Sequence, residues 1–501
     1  MNQRKIGVLL SYLTMGINGL IGLLYVPMLL AFLSQQQYGL YQLVGSMIAY
    51  IAIMDFGLSN TTIRYYSRFL AQQDREKQEN LLATMLRIYG GISVLILLVG
   101  AGLWQVLVPF YAKTLSSADM LTAKYVYAIM LINVAFVIPG HIFSAIIQSH
   151  EKFIFLRCAT LLNIILQPVL VFVVLHFRAN IIALVCVQTL CNFALFLANV
   201  YYCLFQLKVR FRLHGWDKPF VKEILFFSFF IFLNAVMDQI YWKSGQLILG
   251  ALSGTMVVAV YAVAVQLCLS YMNVSANMSG VFLPHLSALA AKGSMTEMNQ
   301  IFLKVGRLQC YVVMLFFWGF ALFGKSFLRL WAGENFLPAY AYTLLLMAAL
   351  ILPLIQNTGI FILQARNKHA FRAVVFALIA VLNVLVAVPL AKHYGAMACA
   401  AVTAGCLLLG QGIILNIYYA RLGFCIKSFF AQIVRLWLCM LLPVGLMMLL
   451  KNVLTWPLCI WSLGAEIVGF SLLYGAAMWF LAMNEYEKNL LKAPFRKIWN
   501  R

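Results

Sequence analysis

Residues 153–176 read FIFLRCATLLNIILQPVLVFVVLH, and Arg157 is their only charge. The hydrocarbon core of a bilayer takes about 20 apolar residues of helix, so this stretch predicts a membrane-spanning helix. Lys152 and Arg157 mark one end of it and Arg178 lies just past the other. The pattern repeats in both directions along the chain. Fourteen spans are expected, at 6–33, 39–60, 82–107, 122–147, 153–176, 181–206, 224–250, 255–283, 303–328, 338–363, 370–392, 395–420, 428–450 and 459–483. The fold class implied is an all-α membrane protein with 14 transmembrane helices.

The charges follow the same division. With Arg4 and Lys5 placed in the cytoplasm, 28 of the 36 basic residues fall on the cytoplasmic side. Seven fall outside, and Lys243 alone lies within a span. This asymmetry is what the positive-inside rule describes. An even number of spans puts both termini of this multi-pass membrane protein in the cytoplasm.

Composition excludes other classes. The 501 residues are 64% hydrophobic and 10% charged, more apolar than a soluble core needs. The net charge of +22 is spread over eight cytoplasmic segments instead of forming one patch. It therefore points to anionic lipid head groups and not to nucleic acid. Residues 1–5 lead into an apolar stretch too long for a signal-peptide core, so no cleaved leader is expected. The eleven cysteines form no Cys-x-x-Cys pair and mostly fall inside spans, as small packing residues would. No metal site is expected. A phosphate-binding loop, a Gly-x-Ser-x-Gly elbow, a His-Glu-x-x-His helix and a dinucleotide fingerprint are all missing from the sequence. The loops are also too short to hold a catalytic domain. The chain is thus not expected to be an enzyme or to carry a cofactor. An H+ or Na+ gradient, or the substrate's own gradient, is left as the driving force.

Three short motifs recur in order. Gln42-Leu43-x-x-Ser46 returns as Gln266-Leu267-x-x-Ser270, Gln148-x-x-x-Lys152 as Gln364-x-x-x-Lys368, and Asn199-x-Tyr201-Tyr202 as Asn416-x-Tyr418-Tyr419. All three recur at nearly the same offset. They predict two six-helix lobes related by a pseudo-twofold axis along the membrane normal. The N-terminal lobe is 1–207, a basic cytoplasmic linker 208–223, and the C-terminal lobe 224–420. An appended pair, helices 13–14, follows with a basic tail in 421–501.

Polar residues inside the spans carry the functional expectation. Gln266, Ser270, Asn273 and Asn277 share one helical face, more amides and hydroxyls than packing requires. Asn18 and Gln42 join them as candidates to line a hydrated cavity. Lys243 is a candidate to attract a phosphate, because a charge within a span is costly and faces protein or water; the alternative is that its ammonium snorkels to the outer head groups. Asp238 and Asp55 are candidates for ion coupling. Asp55 could equally pair with Arg64 or cap a break at Gly57. Arg64 and Arg68 stand at the cytoplasmic mouth. His141 follows Pro139-Gly140, and its simplest role is to bond a carbonyl freed by a kink. Glu466 lies in the appended pair and is expected to be structural.

Tyr38-Gly39-Leu40-Tyr41 and the run Met54-Asp55-Phe56-Gly57-Leu58-Ser59-Asn60-Thr61-Thr62-Ile63-Arg64 resemble the opening signature of Wzx-type bacterial polysaccharide flippases. These belong to the superfamily that also holds multidrug (MATE) exporters and lipid II flippases. The two Gln-x-x-x-Lys motifs and Tyr394-Gly395-Ala396-Met397-Ala398 are similar to that family as well. The resemblance implies alternating access by two lobes. It also implies a polyprenyl-diphosphate-linked oligosaccharide as substrate, with membrane lipids and other polysaccharide-assembly proteins as partners. In such relatives arginines line the cavity. This chain departs from them, since Lys243 is its only deep basic residue. An ion-coupled multidrug or small-cation antiporter is the alternative on the same fold. A membrane polysaccharide polymerase or ligase fits less well, because the large outer loop such enzymes generally present is missing.

Overall fold

A computed structural model describes residues 3–215, 218–280, 282–366, 368, 370–453, 457–490 and 492. The described residues are mostly helical, with no strand among them. The helices are α1 (Gln3–Phe32), α2 (Gln35–Ala52), α3 (Leu58–Ala71), α4 (Arg75–Tyr111), α5 (Ser117–Ser149), α6 (Phe153–Phe177) and α7 (Ile181–Tyr201). Next come α8 (Lys218–Ser253), α9 (Thr255–Gly280), α10 (Leu283–Ala291), α11 (Met295–Trp331), α12 (Ala339–Ile355) and α13 (Asn357–Ala365). The last are α14 (Ala370–Leu407), α15 (Leu415–Arg421), α16 (Ile426–Val453) and α17 (Ile460–Ala477).

Helix starts follow local chemistry. Ser34 opens α2 with a reciprocal box: its hydroxyl accepts from the Gln37 N–H, and the Gln37 amide oxygen accepts from the Ser34 N–H. Asp74, Ser116 and Asn180 cap α4, α5 and α7 with side-chain oxygens that accept from the first turn. Each cap satisfies an N–H that a helix end leaves without a partner.

Eleven helical stretches among the described residues are long and apolar enough to cross a bilayer, or twelve if α12 and α13, bent by 41°, form one span. The expected fourteen is not reached on this count. The stretch 370–421 counts once, as 52 residues, although Gly395 breaks its helical path with φ 58° and ψ −139°.

The chain forms two compact units, 1–262 and 263–501. In the first, α5 packs along α2, α3, α4 and α7, and α1 packs on α6. Tyr38, Leu43, Tyr89, Val126, Ile142 and Ile146 are fully buried there. In the second, α11 packs on α12, α16 and α17, and α12 on α14. Its aromatic core stacks Phe302 on Phe429 at 4.8 Å, with Phe424 edge-on to Phe302 at 5.3 Å.

Apolar surface faces outward as well as inward. Leu162, Leu166, Val169 and Val173 are exposed on α6, at spacings of four, three and four. Val374, Leu378, Val381 and Leu385 are exposed on α14 at the same spacings, so the two stripes match position for position. A water-soluble surface does not hold such stripes; a lipid-facing one does. Paired polar contacts also recur. Asn199 donates to the Ser144 hydroxyl at 3.3 Å in the first unit, and Asn416 exchanges bonds of 2.8 and 3.0 Å with Gln356 in the second.

Candidate functional site

On α9 the polar residues divide between two faces. Asn273 and Asn277 are exposed and Gln266 is half-buried. Ser270 is spent on its own helix, donating to the Gln266 carbonyl at 3.0 Å. The opposite face is the packed one. Ser275 donates to the Leu354 carbonyl at 2.7 Å, and Gln309 on α11 donates to the Ser275 hydroxyl at 2.9 Å and to Ser279. Both serines are fully buried. The 3.6-residue period accounts for the split: residues 273 and 277 lie about 160° from 275 and 279. The amide face is therefore not consumed by packing.

Lys243 is half-buried on α8, beside buried Trp242 and Ser244. It makes no ion pair and no hydrogen bond among the described residues. Asp238, five residues earlier, is exposed. Asn18 is exposed on α1. Gln42 is half-buried and donates to the Tyr38 hydroxyl at 2.9 Å. Near it, Gln188 on α7 donates to Tyr25 at 2.9 Å and to Tyr41 at 3.0 Å. This amide–tyrosine cluster joins α1, α2 and α7, and no local sequence signal marks it. Arg64 and Arg68 are both exposed on α3, with the Arg64 guanidinium 5.7 Å from the Tyr65 ring centre.

Asp55 closes a single 3-10 turn, Ile53–Asp55, between α2 and α3. Phe56 and Gly57 then take left-handed φ values of 53° and 65°. Such a φ costs a non-glycine residue roughly 1–2 kcal/mol, so the break at Phe56 is held by its surroundings. The sequence alone offers Asp55 as an ion-coupling group, a partner for Arg64 or a cap on the break, and gives His141 a freed carbonyl, without pairing the two. In the structure they meet: His141 Nδ1 lies 3.0 Å from Asp55 Oδ1. A carboxylate only accepts, so Nδ1 is the donor. Glu466 is half-buried on α17.

A second cluster in the first unit joins α2 and α4 to α8 and the start of α9. Gly39 approaches the Thr255 carbonyl so closely that a β-carbon on it would collide with the oxygen. Thr114 donates to the Gly250 carbonyl at 2.8 Å, Tyr111 to that of Leu247 at 3.2 Å and Gln35 to that of Met256 at 3.2 Å. These donors all reach backbone carbonyls, which pairwise side-chain reasoning does not reveal.

In the second unit, Arg307 belongs to the basic cytoplasmic set that the sequence assigns to lipid head groups. It is instead largely covered, its side chain 11% exposed beside a buried Glu487 at 2%. Its Nε donates to Glu487 Oε1 at 2.6 Å and its Nη2 to Oε2 at 3.0 Å. Tyr311 adds a bond to the same carboxylate at 3.0 Å. Burial pushes the Glu487 carboxyl up, but the Arg307 bonds, the Asn484 N–H and Tyr311 outweigh it and hold the group below its ordinary value. No three His, Cys, Asp or Glu side chains gather as a metal site among the described residues.

Residues 5–290, more than half of the sequence, match the family described as "Polysaccharide biosynthesis protein". The chain belongs to that family. The match takes in Lys243, Asp55, His141, the amide face of α9 and the Gly39 cluster. The polysaccharide biosynthesis family member shares its fold with solved transporters. It is similar to the lipid II flippase MurJ in an inward closed conformation, at TM-score 0.73 and 15% identity, over 94% of this chain and 98% of that one. It is also similar to a multidrug resistance MATE family transporter of the MOP superfamily in an inward-facing conformation. There the TM-score is 0.68 at 14% identity, over 82% and 94% of the two chains. An outward-facing MATE transporter of that superfamily gives 0.53 at 13% identity, over 85% and 94%. At these identities the likeness is one of fold. No curated protein matches the chain in sequence.

Proposed function

We propose that this polysaccharide biosynthesis family member carries a polyprenyl-diphosphate-linked oligosaccharide from the inner to the outer leaflet of the bacterial inner membrane by alternating access. The observation that carries the reading is Lys243, an ammonium inside a spanning helix with no ion-pair partner among the described residues. A charge there is expensive and marks function by default; a diphosphate supplies what it lacks. Asn18, Gln266, Asn273 and Asn277 offer amides to a sugar, while the polyprenyl tail stays in lipid. Arg64 and Arg68 receive the head group at the cytoplasmic mouth.

The topology that fits this reading has fourteen spans. The bend at Gly395 divides 370–421 in two, and the 36 residues of α8 add one more. Both termini are then cytoplasmic. The loops 33–34, 112–116 and 254 lie outside, so the contacts of α2 and α4 with α8 close the outer face. Opening outward means parting Gly39 from Thr255 and Thr114 from Gly250. With no nucleotide-binding motif in the sequence, an H+ or Na+ gradient or the substrate's own gradient drives the cycle. The enzymes that build the substrate and polymerise the product are the natural partners.

The test is surface export in cells that carry the chain as their sole flippase. Lys243→Ala should lower export about tenfold or more at unchanged protein level, in line with the roughly 1.5–3 kcal/mol of a hydrogen bond to a charged group. Lys243→Arg should retain part of it. Wild-type export by Lys243→Ala removes Lys243 from substrate binding. Drug efflux without any effect on polysaccharide would favour the antiporter reading.

A further inference from the structure

We propose that Asp55 and His141 form a proton-binding site whose charge state sets the bend between α2 and α3. The two residues stand 86 positions apart in sequence. They meet where one apolar stretch, Gln35–Ala71, is interrupted. α5 packs along both α2 and α3, and it carries His141 directly after Pro139 and Gly140. The His141–Asp55 bond is thus a polar tie from the continuous helix to the turn of the broken one. Its side chains are 42% and 22% exposed, so the pair is not sealed.

The chemistry is reversible protonation of one atom. Nδ1–H donates to the carboxylate, which leaves Nε2 to take a proton from water and return it. Without that proton the pair carries one negative charge. With it the pair is an imidazolium–carboxylate ion pair of no net charge. Within a spanning helix the difference is large, because such charges face protein or water and pair with one another. The tie is stronger when the ring is charged, so protonation holds the turn against α5 and loss of the proton loosens it.

The surroundings contain few competing charges. From α4, Tyr89 faces Asp55 with a buried hydroxyl. From α8, Phe232 lies against Phe56, their ring centres 4.6 Å apart; the charged residues of that helix beyond it are Asp238 and Lys243. On α3 the nearest charge is Arg64, about two turns beyond the break. On α7 the neighbours of the Gly140 region are Phe193 and Phe196, which carry no charge. The held strain at Phe56 gives the site something to act on, since a left-handed non-glycine residue persists only while its surroundings fix it.

That a proton gradient thereby drives the transport cycle rests on the function proposed above; the site itself does not. The test is amide hydrogen exchange by mass spectrometry on the full chain in lipid nanodiscs, from pH 5 to 8, the window in which an imidazole titrates. After correction for the intrinsic pH dependence of exchange, the wild-type peptide covering residues 53–64 should gain about tenfold protection toward pH 5. His141→Gln and Asp55→Asn should both abolish that gain. Should a variant fail to fold, the side-chain nitrogen signal of His141 in the wild-type protein answers the same question, since it must move with pH across the window. A flat wild-type profile, a fixed His141 signal or an unchanged pH response in a folded variant overturns the proposal. None of these outcomes bears on the Lys243 export assay.

Discussion

At the scale of single residues, burial decides which charges matter. Arg307 and Glu487 are both nearly inaccessible and share two hydrogen bonds. Removing one partner leaves the other charged and buried, which costs about 3–5 kcal/mol. Arg307→Ala should therefore lower thermal stability in detergent and expose the segment after α17 to protease. Arg307→Met combined with Glu487→Leu should recover most of the loss, because two apolar side chains leave no charge behind. The pair also sets an acid limit. The Glu487 carboxyl is held below its ordinary value of 4.5 in the fold. Its stabilisation is thus fully present above that value and is lost as pH falls through the depressed one. A thermal scan from pH 7 down to pH 3 should show a fall on the acid side that Glu487→Gln lacks. Neither residue announces the other in the sequence, 180 positions apart. The positive-inside count places Arg307 near the cytoplasmic side without showing that it is largely covered.

At the scale of elements, close approach is the controlling quantity. Gly39 on α2 meets the Thr255 carbonyl at the start of α9, and Gly250 on α8 meets Leu43 and Tyr111. A β-carbon at Gly39 would collide with backbone, which cannot rotate away. Gly39→Ala should push α2 from α9 and α8. A pair of spin labels at positions 113 and 253 should then report a longer distance than in the wild type, and export should fall. An unchanged distance in that variant would show that the close approach does not hold these helices together. The motif Tyr38-Gly39-Leu40-Tyr41 is visible in the sequence, but why it carries glycine is not. That reason lies in a carbonyl seven helices further along the chain. The same holds for the α2–α3 break. Gly57 hints at an interruption, whereas the partner at Asp55 is supplied by α5.

At the scale of the whole molecule, the membrane imposes the plan. The matching stripes on α6 and α14 are what lipid-facing helices of two related halves would show. The proposed topology is open to direct measurement. In a cysteine-free background, single cysteines at Arg178 and Lys451 should react with an impermeant reagent from outside the cell, and those at Lys208 and Lys292 only after permeabilisation. The reverse result at either pair would break the fourteen-span plan. The all-helical, many-span class was legible from hydropathy and charge alone, because a bilayer demands long apolar helices and sorts Lys and Arg between its two sides. That Asn273 and Asn277 share one side of α9 was legible too, since their spacing is a property of one helix. Only the tertiary structure decided that Asp55 meets His141, that Arg307 is neutralised by Glu487, that Ser275 and Ser279 serve packing, and that Gly39 touches a carbonyl. Each of these depends on helices that are not neighbours in the local sequence pattern, and period and composition describe a helix without naming what packs against it.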